Sequence, residues 1–408
     1  MKFLTLQLSL LFCFSINLFS CKENSFLVEH WNHPLPLLNG SNQGKQLQLS
    51  SMESNMDPKQ CATCHEIQWK SWKSSFHAKS IGNGLLWQKT NLESKEFNNC
   101  LNCHSPLQET KAELSETFRT KEIIHSQKEH FPKGISNPSI QCASCHIRNQ
   151  TWYGPQRKNF NRNETENDSF PHNGFKAIYD FESSLFCKSC HESPENGVYL
   201  NGKQLMEVYK EWENSSFAKQ GIQCQNCHMP DREHSWKGIH DPDFVRKSVE
   251  PSWKLETISN GEIRIYAELK SIAVGHKFPT YLVPKIYLRF YTIETNGKKT
   301  LIEESIIGRL VNTNLSEEYY DTRISPNDKH TVDFTYKLNN RRVEKIVWET
   351  IVDPDEHYVR SFEESLQIKS KCLSEETKKQ LTLSLSEKRE SEFKLFTLSL
   401  PMLVLLRQ

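Results

Sequence analysis

Two patterns of apolar residues divide the chain. Beyond residue 250 apolar and polar positions alternate: Ile263, Ile265, Ala267 and Leu269 form one period-two set, and Ile286, Leu288 and Phe290 a second. Val332, Phe334, Tyr336 and Leu338 form a third. Successive side chains of a strand point to opposite faces, so each set predicts a strand with one buried face. Asn260-Gly261, Asn296-Gly297 and Asn339-Asn340 stand where hairpin turns are needed. Residues 246–370 are therefore expected to form an antiparallel β-sandwich-like domain. Residues 57–245 show no such alternation. There Glu66–Lys79 and Gly202–Ala218 have helical propensity, with Trp69, Trp72 and Phe76 on one face. The expectation is a mainly α domain with little regular structure.

The ends differ again. Lys2 precedes an apolar run from Phe3 to Phe19, and Phe396–Leu406 is apolar but interrupted by Pro401. Both runs are too short to read as membrane spans. Residues 1–20 read as a signal peptide, and residues 21–56, polar and aperiodic, as a tether. Residues 371–408 form a tail of undefined structure, packed on the β domain or lying on a membrane.

Cysteine usage changes the picture most. Ten of the thirteen cysteines fall in five copies of Cys-x-x-Cys-His. The pairs are Cys61 and Cys64, Cys100 and Cys103, Cys142 and Cys145, Cys187 and Cys190, and Cys224 and Cys227. The closing histidines are His65, His104, His146, His191 and His228. This is the c-type haem attachment signature, in which two thiols add to the haem vinyl groups and the histidine binds iron. A zinc knuckle or redox dithiol also uses Cys-x-x-Cys, but does not close each copy with histidine. Five covalently bound haem c groups are expected. First cysteines are 39, 42, 45 and 37 residues apart, with no repetition in between that would make a solenoid. Hydrophobic residues make up only 36 % of the 408, which suits an interior partly filled by apolar porphyrin faces. A net charge of +1 gives no polybasic case for nucleic acid.

Sixteen histidines are present, so eleven remain for the opposite axial positions. His77 is well placed, in Trp72-Lys73-Ser74-Ser75-Phe76-His77-Ala78. The related stretch Trp212-Glu213-Asn214-Ser215-Ser216-Phe217-Ala218 has Phe217 in its place, so a haem beside Phe217 is ligated from elsewhere or left open. His30 and His33 in the tether, and His125 and His130, read as non-ligands.

Three runs then carry a family likeness: the Trp-x-x-Ser-x-His-Ala stretch, Gln141-Cys142-Ala143-Ser144-Cys145-His146-Ile147-Arg148, and Cys224 to His234 continuing through Trp236 to Pro242. Together they resemble the cytochrome c-554 family of multihaem cytochromes, related to hydroxylamine oxidoreductase, over roughly residues 57–360. The resemblance implies a haem-packed domain in which most irons carry two histidines, and makes His77, His234, His240 and His276 distal candidates, with His172 a weaker one. Gly275-His276-Lys277-Phe278-Pro279-Thr280 also resembles a loop that, in multihaem cytochromes, reaches from a β domain back to the haems.

Leu18-Phe19-Ser20-Cys21 resembles a lipobox, so Cys21 is the expected lipidation site of an exported, periplasmic, membrane-anchored lipoprotein. The alternative is ordinary signal cleavage near Ser20. Cys13 belongs to the same export segment, and Cys372 reads as a small packed residue. The function expected is electron transfer between a respiratory donor, a redox protein or quinol-linked complex, and an acceptor. The alternative is an oxidoreductase acting on hydroxylamine, nitrite or a sulfur oxyanion at one open haem. Pentahaem nitrite reductases usually carry Cys-x-x-Cys-Lys, which this sequence lacks.

Overall fold

The computed structural model describes Trp31 and residues 57–402, except 91, 93, 108–109, 112–113, 115–137, 149–150, 157–174, 260, 339–342 and 369–370. The signal segment, Cys21, His30, His33, His125, His130, His172, Asn260 and the Asn339-Asn340 turn lie outside the described residues.

Short helices carry the first half. They are α1 (Pro58–Cys61), α2 (Glu66–Ser74), α3 (Asn83–Leu86), α4 (Ser94–His104) and α5 (Cys142–His146). After them come α6 (Leu185–His191), α7 (Val208–Glu213), α8 (Ser216–Lys219), α9 (Cys224–His228) and α10 (Pro242–Ser248). Between them run β1 (Ile147–Arg148), β2 (Thr151–Gly154) and β3 (Lys176–Ala177), a small sheet whose β2–β3 pair is parallel. A hairpin of β4 (Tyr199–Leu200) and β5 (Lys203–Gln204) follows.

The expectation of a mainly α first domain is not met. The longest described helix of this region, α4, has 11 residues, and small sheets interrupt the series. Attachment of two thioethers asks for one helical turn, and helices this short do not persist on propensity alone. Caps and tertiary contacts hold them instead. Pro58 opens α1 behind Asp57, whose carboxylate accepts from the Lys59 N–H at 2.8 Å. Part of the expected helix over Gly202–Ala218 is spent on the β4–β5 turn, where Gly202 has φ +73°.

The second half contains β6 (Val249–Ser259), β7 (Glu262–Ser271), β8 (Lys285–Glu294), β9 (Lys299–Val311), β10 (Glu318–Asp321), β11 (Lys329–Lys337), β12 (Val343–Asp353) and β13 (Phe393–Pro401). They pair antiparallel in two sheets, β10–β9–β8–β12–β13 and β11–β7–β6. The three period-two sets lie on β7, β8 and from β11 into Leu338, and both sheets turn them into one core. Trp348 pairs with Phe290 and Leu398, and its ring stacks on Phe290 at 5.6 Å. Each such fully buried apolar side chain contributes about 1.5–3 kcal/mol.

This half is not purely β. Between β12 and β13 the chain leaves the sheet for α11 (Glu356–Ile368) and α12 (Glu375–Arg389), the longest helices described. Phe362, Leu373, Leu381 and Leu385 pack around Trp87, next to α3. The residues expected to be a tail thus supply a helix and the edge strand β13, with Leu395 and Met402 buried in the sheet core. Pro401 falls at the end of that edge strand, where a missing N–H costs no central ladder bond. Cys372, expected to be packed, is exposed between the two helices. No described helix is long and apolar enough to cross a membrane.

A buried charge network joins the halves. Arg309, 1 % exposed, donates to Glu318 at 2.6 Å and to the Gln204 carbonyl at 2.6 Å. Lys203 reaches Asp321 at 2.8 Å, and Arg323 bridges Asp321 at 2.9 Å and Glu211 at 3.1 Å. Burial alone would raise the Asp321 carboxyl, but hydrogen bonds from Arg323 and Lys203 hold it well below the usual range.

Candidate haem sites

Four of the motif histidines, His104, His146, His191 and His228, are the last residues of α4, α5, α6 and α9. The first motif is built differently: Cys61 ends α1 and His65 precedes α2. The residues inside two motifs shape their own turns. Gln141 N–H donates to Ser144 Oγ at 3.0 Å, and Gln223 N–H donates to Asn226 Oδ1 at 2.6 Å, so the second intervening residue closes the helix start each time. At the far end of α5, buried Arg148 donates to the carbonyls of Ala143, Ser144 and Ile147 at 3.2, 2.6 and 2.5 Å. Trp31 docks here, donating to the Cys145 carbonyl at 3.1 Å.

The imidazoles share one orientation. Nδ1 of His104 meets the Ser80 carbonyl at 3.0 Å, that of His146 the Tyr153 carbonyl at 2.8 Å, and that of His228 the Lys237 carbonyl at 2.7 Å. Nδ1 of His234 and His276 meets the carbonyls of Arg232 and Lys277, both at 2.9 Å. A carbonyl only accepts, so Nδ1 carries the proton and Nε2 keeps the lone pair that binds a metal. Burial keeps these rings neutral. It pushes His77 down to about 3 and His146 and His191 to about 4, and lowers His228, His234 and His276 likewise.

Three pairs of rings stand out. His77 and His191 have centroids 6.2 Å apart, His146 and His234 6.1 Å, and His228 and His276 6.3 Å. Two imidazoles bound to one metal from opposite sides, each about 2 Å from it, place their ring centres roughly 6 Å apart. Each pair joins a motif histidine to one of the distal candidates. Spacing and neutrality fit a haem iron between the rings in all three pairs, and the tautomer fits in His146 with His234 and His228 with His276.

His240 is arranged otherwise. Its Nε2 lies 2.9 Å from Asp355 Oδ2, and its ring packs on Phe76 at 4.4 Å. Among the described residues, no second imidazole is paired in this way with His65 or His104.

The substitution at Phe217 now has an account. Trp72 donates to the Ile140 carbonyl ahead of the third motif, and Trp212 to the Ile222 carbonyl ahead of the fifth, both at 2.9 Å. Phe217 packs under Gly275, where an added Cβ would meet Trp212 at 3.2 Å and Phe217 at 3.5 Å. The next residue, His276, faces His228, while Lys277 N–H donates to Glu211 at 3.0 Å. The β-region loop therefore comes in over the phenylalanine.

Two site residues escaped sequence reasoning. Trp236, at φ +42°, sets its ring 4.4 Å from His77 and 5.1 Å from His234. Tyr281 Oη lies 2.5 Å from His191 Nδ1. A single tryptophan or tyrosine in a loop carries no local signal of such a role.

The cysteines show which motifs are neighbours. Side chains of Cys61 and Cys142 lie side by side, as do those of Cys187 and Cys224, and of Cys103 and Cys190. Cys145 is within electrostatic range of Cys187 and Cys190.

Repeated attachment motifs with inward, metal-oriented imidazoles on contiguous elements define a multihaem cytochrome carrying haem c. Comparison with known proteins agrees with that class. Residues 86–241 match the family model described as outer membrane cytochrome MtrC/MtrF-like, domains II/IV, which is less than half of the chain. The fold is similar to that of a penta-heme cytochrome c552 from Thermochromatium tepidum, with a TM-score of 0.59 at 16 % identity, covering 86 % of this chain and 99 % of that one. A structural-genomics target aligned over 26 % of the chain, at 12 % identity and a TM-score of 0.16, is too slight a likeness to bear on the fold. No curated protein matches. The expected kinship with cytochrome c-554 is thus supported at the level of a multihaem cytochrome.

Proposed function

We propose that the chain is a pentahaem electron carrier, exported and anchored through a lipid on Cys21, that passes electrons between a respiratory redox protein or quinol-linked donor and an acceptor. The observation that carries this reading is the set of three imidazole pairs 6.1–6.3 Å apart. On this reading His77 lies opposite His191, His234 opposite His146, and His276 opposite His228 across an iron. His172 stays a candidate for a remaining iron.

A bound haem supplies reversible one-electron transfer, with a potential set by its ligands, burial and hydrogen bonds. The work of the chain is to hold these groups close together, keep the ligating rings neutral and exclude water. The cysteine contacts support an order in which the first and third sites adjoin, the fourth adjoins the second and fifth, and the third adjoins the fourth. The domain division expected from the sequence, with attachment sites in 57–245 and the β region supplying His276, belongs to the same proposal.

Intact mass after maturation with the haem-attachment machinery tests it. Five haem additions and a lipid are expected, and oxidised spectra dominated by low-spin iron. A bare polypeptide mass rules the reading out.

A second reading draws on the polar cluster near Cys100. Asp355, 2 % exposed, binds His240 at 2.9 Å and Lys388 at 3.0 Å. Lys388 lies 5.9 Å from the Tyr358 ring, and Tyr358 is within electrostatic range of both Asp355 and Cys100. Asp355 already holds His240 and Lys388, which leaves the Tyr358 hydroxyl as the donor for an anion beside the second site, as an oxidoreductase of hydroxylamine, nitrite or a sulfur oxyanion needs. A high-spin signal that shifts with hydroxylamine or nitrite favours it, and unchanged spectra count against it.

A further inference from the structure

The fourth motif differs from the second, third and fifth in one respect. His104, His146 and His228 each direct Nδ1 to a backbone carbonyl. His191 directs it to a side chain, the phenol oxygen of Tyr281 at 2.5 Å, with the two rings nearly parallel, 15° apart. Tyr281 is held there by the backbone, at φ +63° in the loop between β7 and β8 that also carries His276. A non-glycine residue at positive φ is uncommon and marks a position fixed by its surroundings.

The same motif is where the cysteine contacts converge. Cys187 lies beside Cys224, and Cys190 beside Cys103. A group attached at Cys187 and Cys190 therefore stands between the second and fifth sites, and its potential governs whether an electron passes between them or stays.

We propose that Tyr281 sets the potential of this junction haem by accepting the Nδ1 hydrogen bond of His191. Hydrogen bonding at the far nitrogen of a ligating histidine raises the ring's basicity and orients it. A more basic imidazole stabilises the oxidised iron and lowers its potential. A phenol oxygen makes this adjustable by a single side chain, which a main-chain carbonyl does not. Tyr281 is in this sense a positioning residue acting through His191. The inference rests on the assignment of His191 as an iron ligand.

The test uses the full, haem-loaded chain. Tyr281→Phe removes one oxygen and leaves the ring. In a spectroelectrochemical titration, one component is expected to move to higher potential while the others stay. A tenfold loss of relative stabilisation of the oxidised state reads as about 59 mV for one electron. Unmoved components in a protein whose mass shows its full haem complement overturn the proposal and leave the electron-carrier reading standing. A mass lacking haems fails that reading instead. If the Tyr281→Phe protein does not mature, redox-difference infrared spectra of the unsubstituted protein with ring-deuterated tyrosine decide. An isotope-sensitive phenol band that titrates with one haem supports the proposal, and no such band overturns it.

Discussion

His276 and Phe217 explain one another at the scale of single residues. The loop that brings His276 opposite His228 needs a flat apolar floor and no Cβ at its approach, and Phe217, Trp212 and Gly275 provide both. Replacing His276 with alanine is therefore expected to convert one haem's worth of low-spin signal to high spin, read by electron paramagnetic resonance. His240→Ala serves as the contrast. Its Nε2 is taken by Asp355, so low-spin content should stay as it was; a loss would show that His240 ligates iron. Gly275→Ala forces a Cβ to within 3.2 Å of Trp212, and a cost of about 1–3 kcal/mol is expected for such overpacking, measured as a lower denaturant midpoint with partial high-spin character.

Among elements, an ionic joint ties the β4–β5 hairpin and α7 to the β region. Arg323 is 3 % exposed on its side chain and depends on Asp321 and Glu211 for compensation. Asp321→Asn leaves Arg323 to Glu211 and Lys203 to Glu318, so a loss of about 1–3 kcal/mol is expected at neutral pH, checked by denaturant unfolding of the holoprotein. The pH dependence has a definite sign. The folded carboxyl titrates below its unfolded value of about 3.9, so its contribution is complete above roughly pH 4 and drains away as the pH falls further. Acid unfolding of the Asp321→Asn protein should be correspondingly shallower below that point. The same joint tethers the His276 loop through Glu211, so loosening it is expected to disturb ligation as well as stability.

For the whole molecule, the proposed order of sites makes a branched path with the fourth motif at its centre, resting on the contacts of Cys187 with Cys224 and Cys190 with Cys103. Cys187→Ser with Cys190→Ser should remove that junction. Stopped-flow reduction by a small electron donor is then expected to split into separate phases as the second and fifth sites lose their shared neighbour. One undivided phase would show that electrons travel by another route. The C-terminal residues belong to this level too. α11 and α12 cover the helix ahead of the second motif, and β13 closes the sheet edge. Their helical spacing is present in the sequence, as Val359, Phe362 and Leu366 and as Leu381 and Leu385, but nothing nearby in sequence identifies the element they pack on.

What the sequence by itself determined was local. Cys-x-x-Cys-His sets two thiols and an imidazole within one turn of chain, so candidate attachment sites and their histidines can be read from five residues at a time. Ile263 to Leu269 alternate because a strand has two faces, and they lie on a strand. Tertiary structure decided the rest. It paired His77 with His191, His146 with His234 and His228 with His276, gave His240 to Asp355, and brought Tyr281 to His191. An axial position asks only that one nitrogen arrive at one point in space. Any loop that folds there can supply it, and a loop's destination is set by the packing of the whole chain.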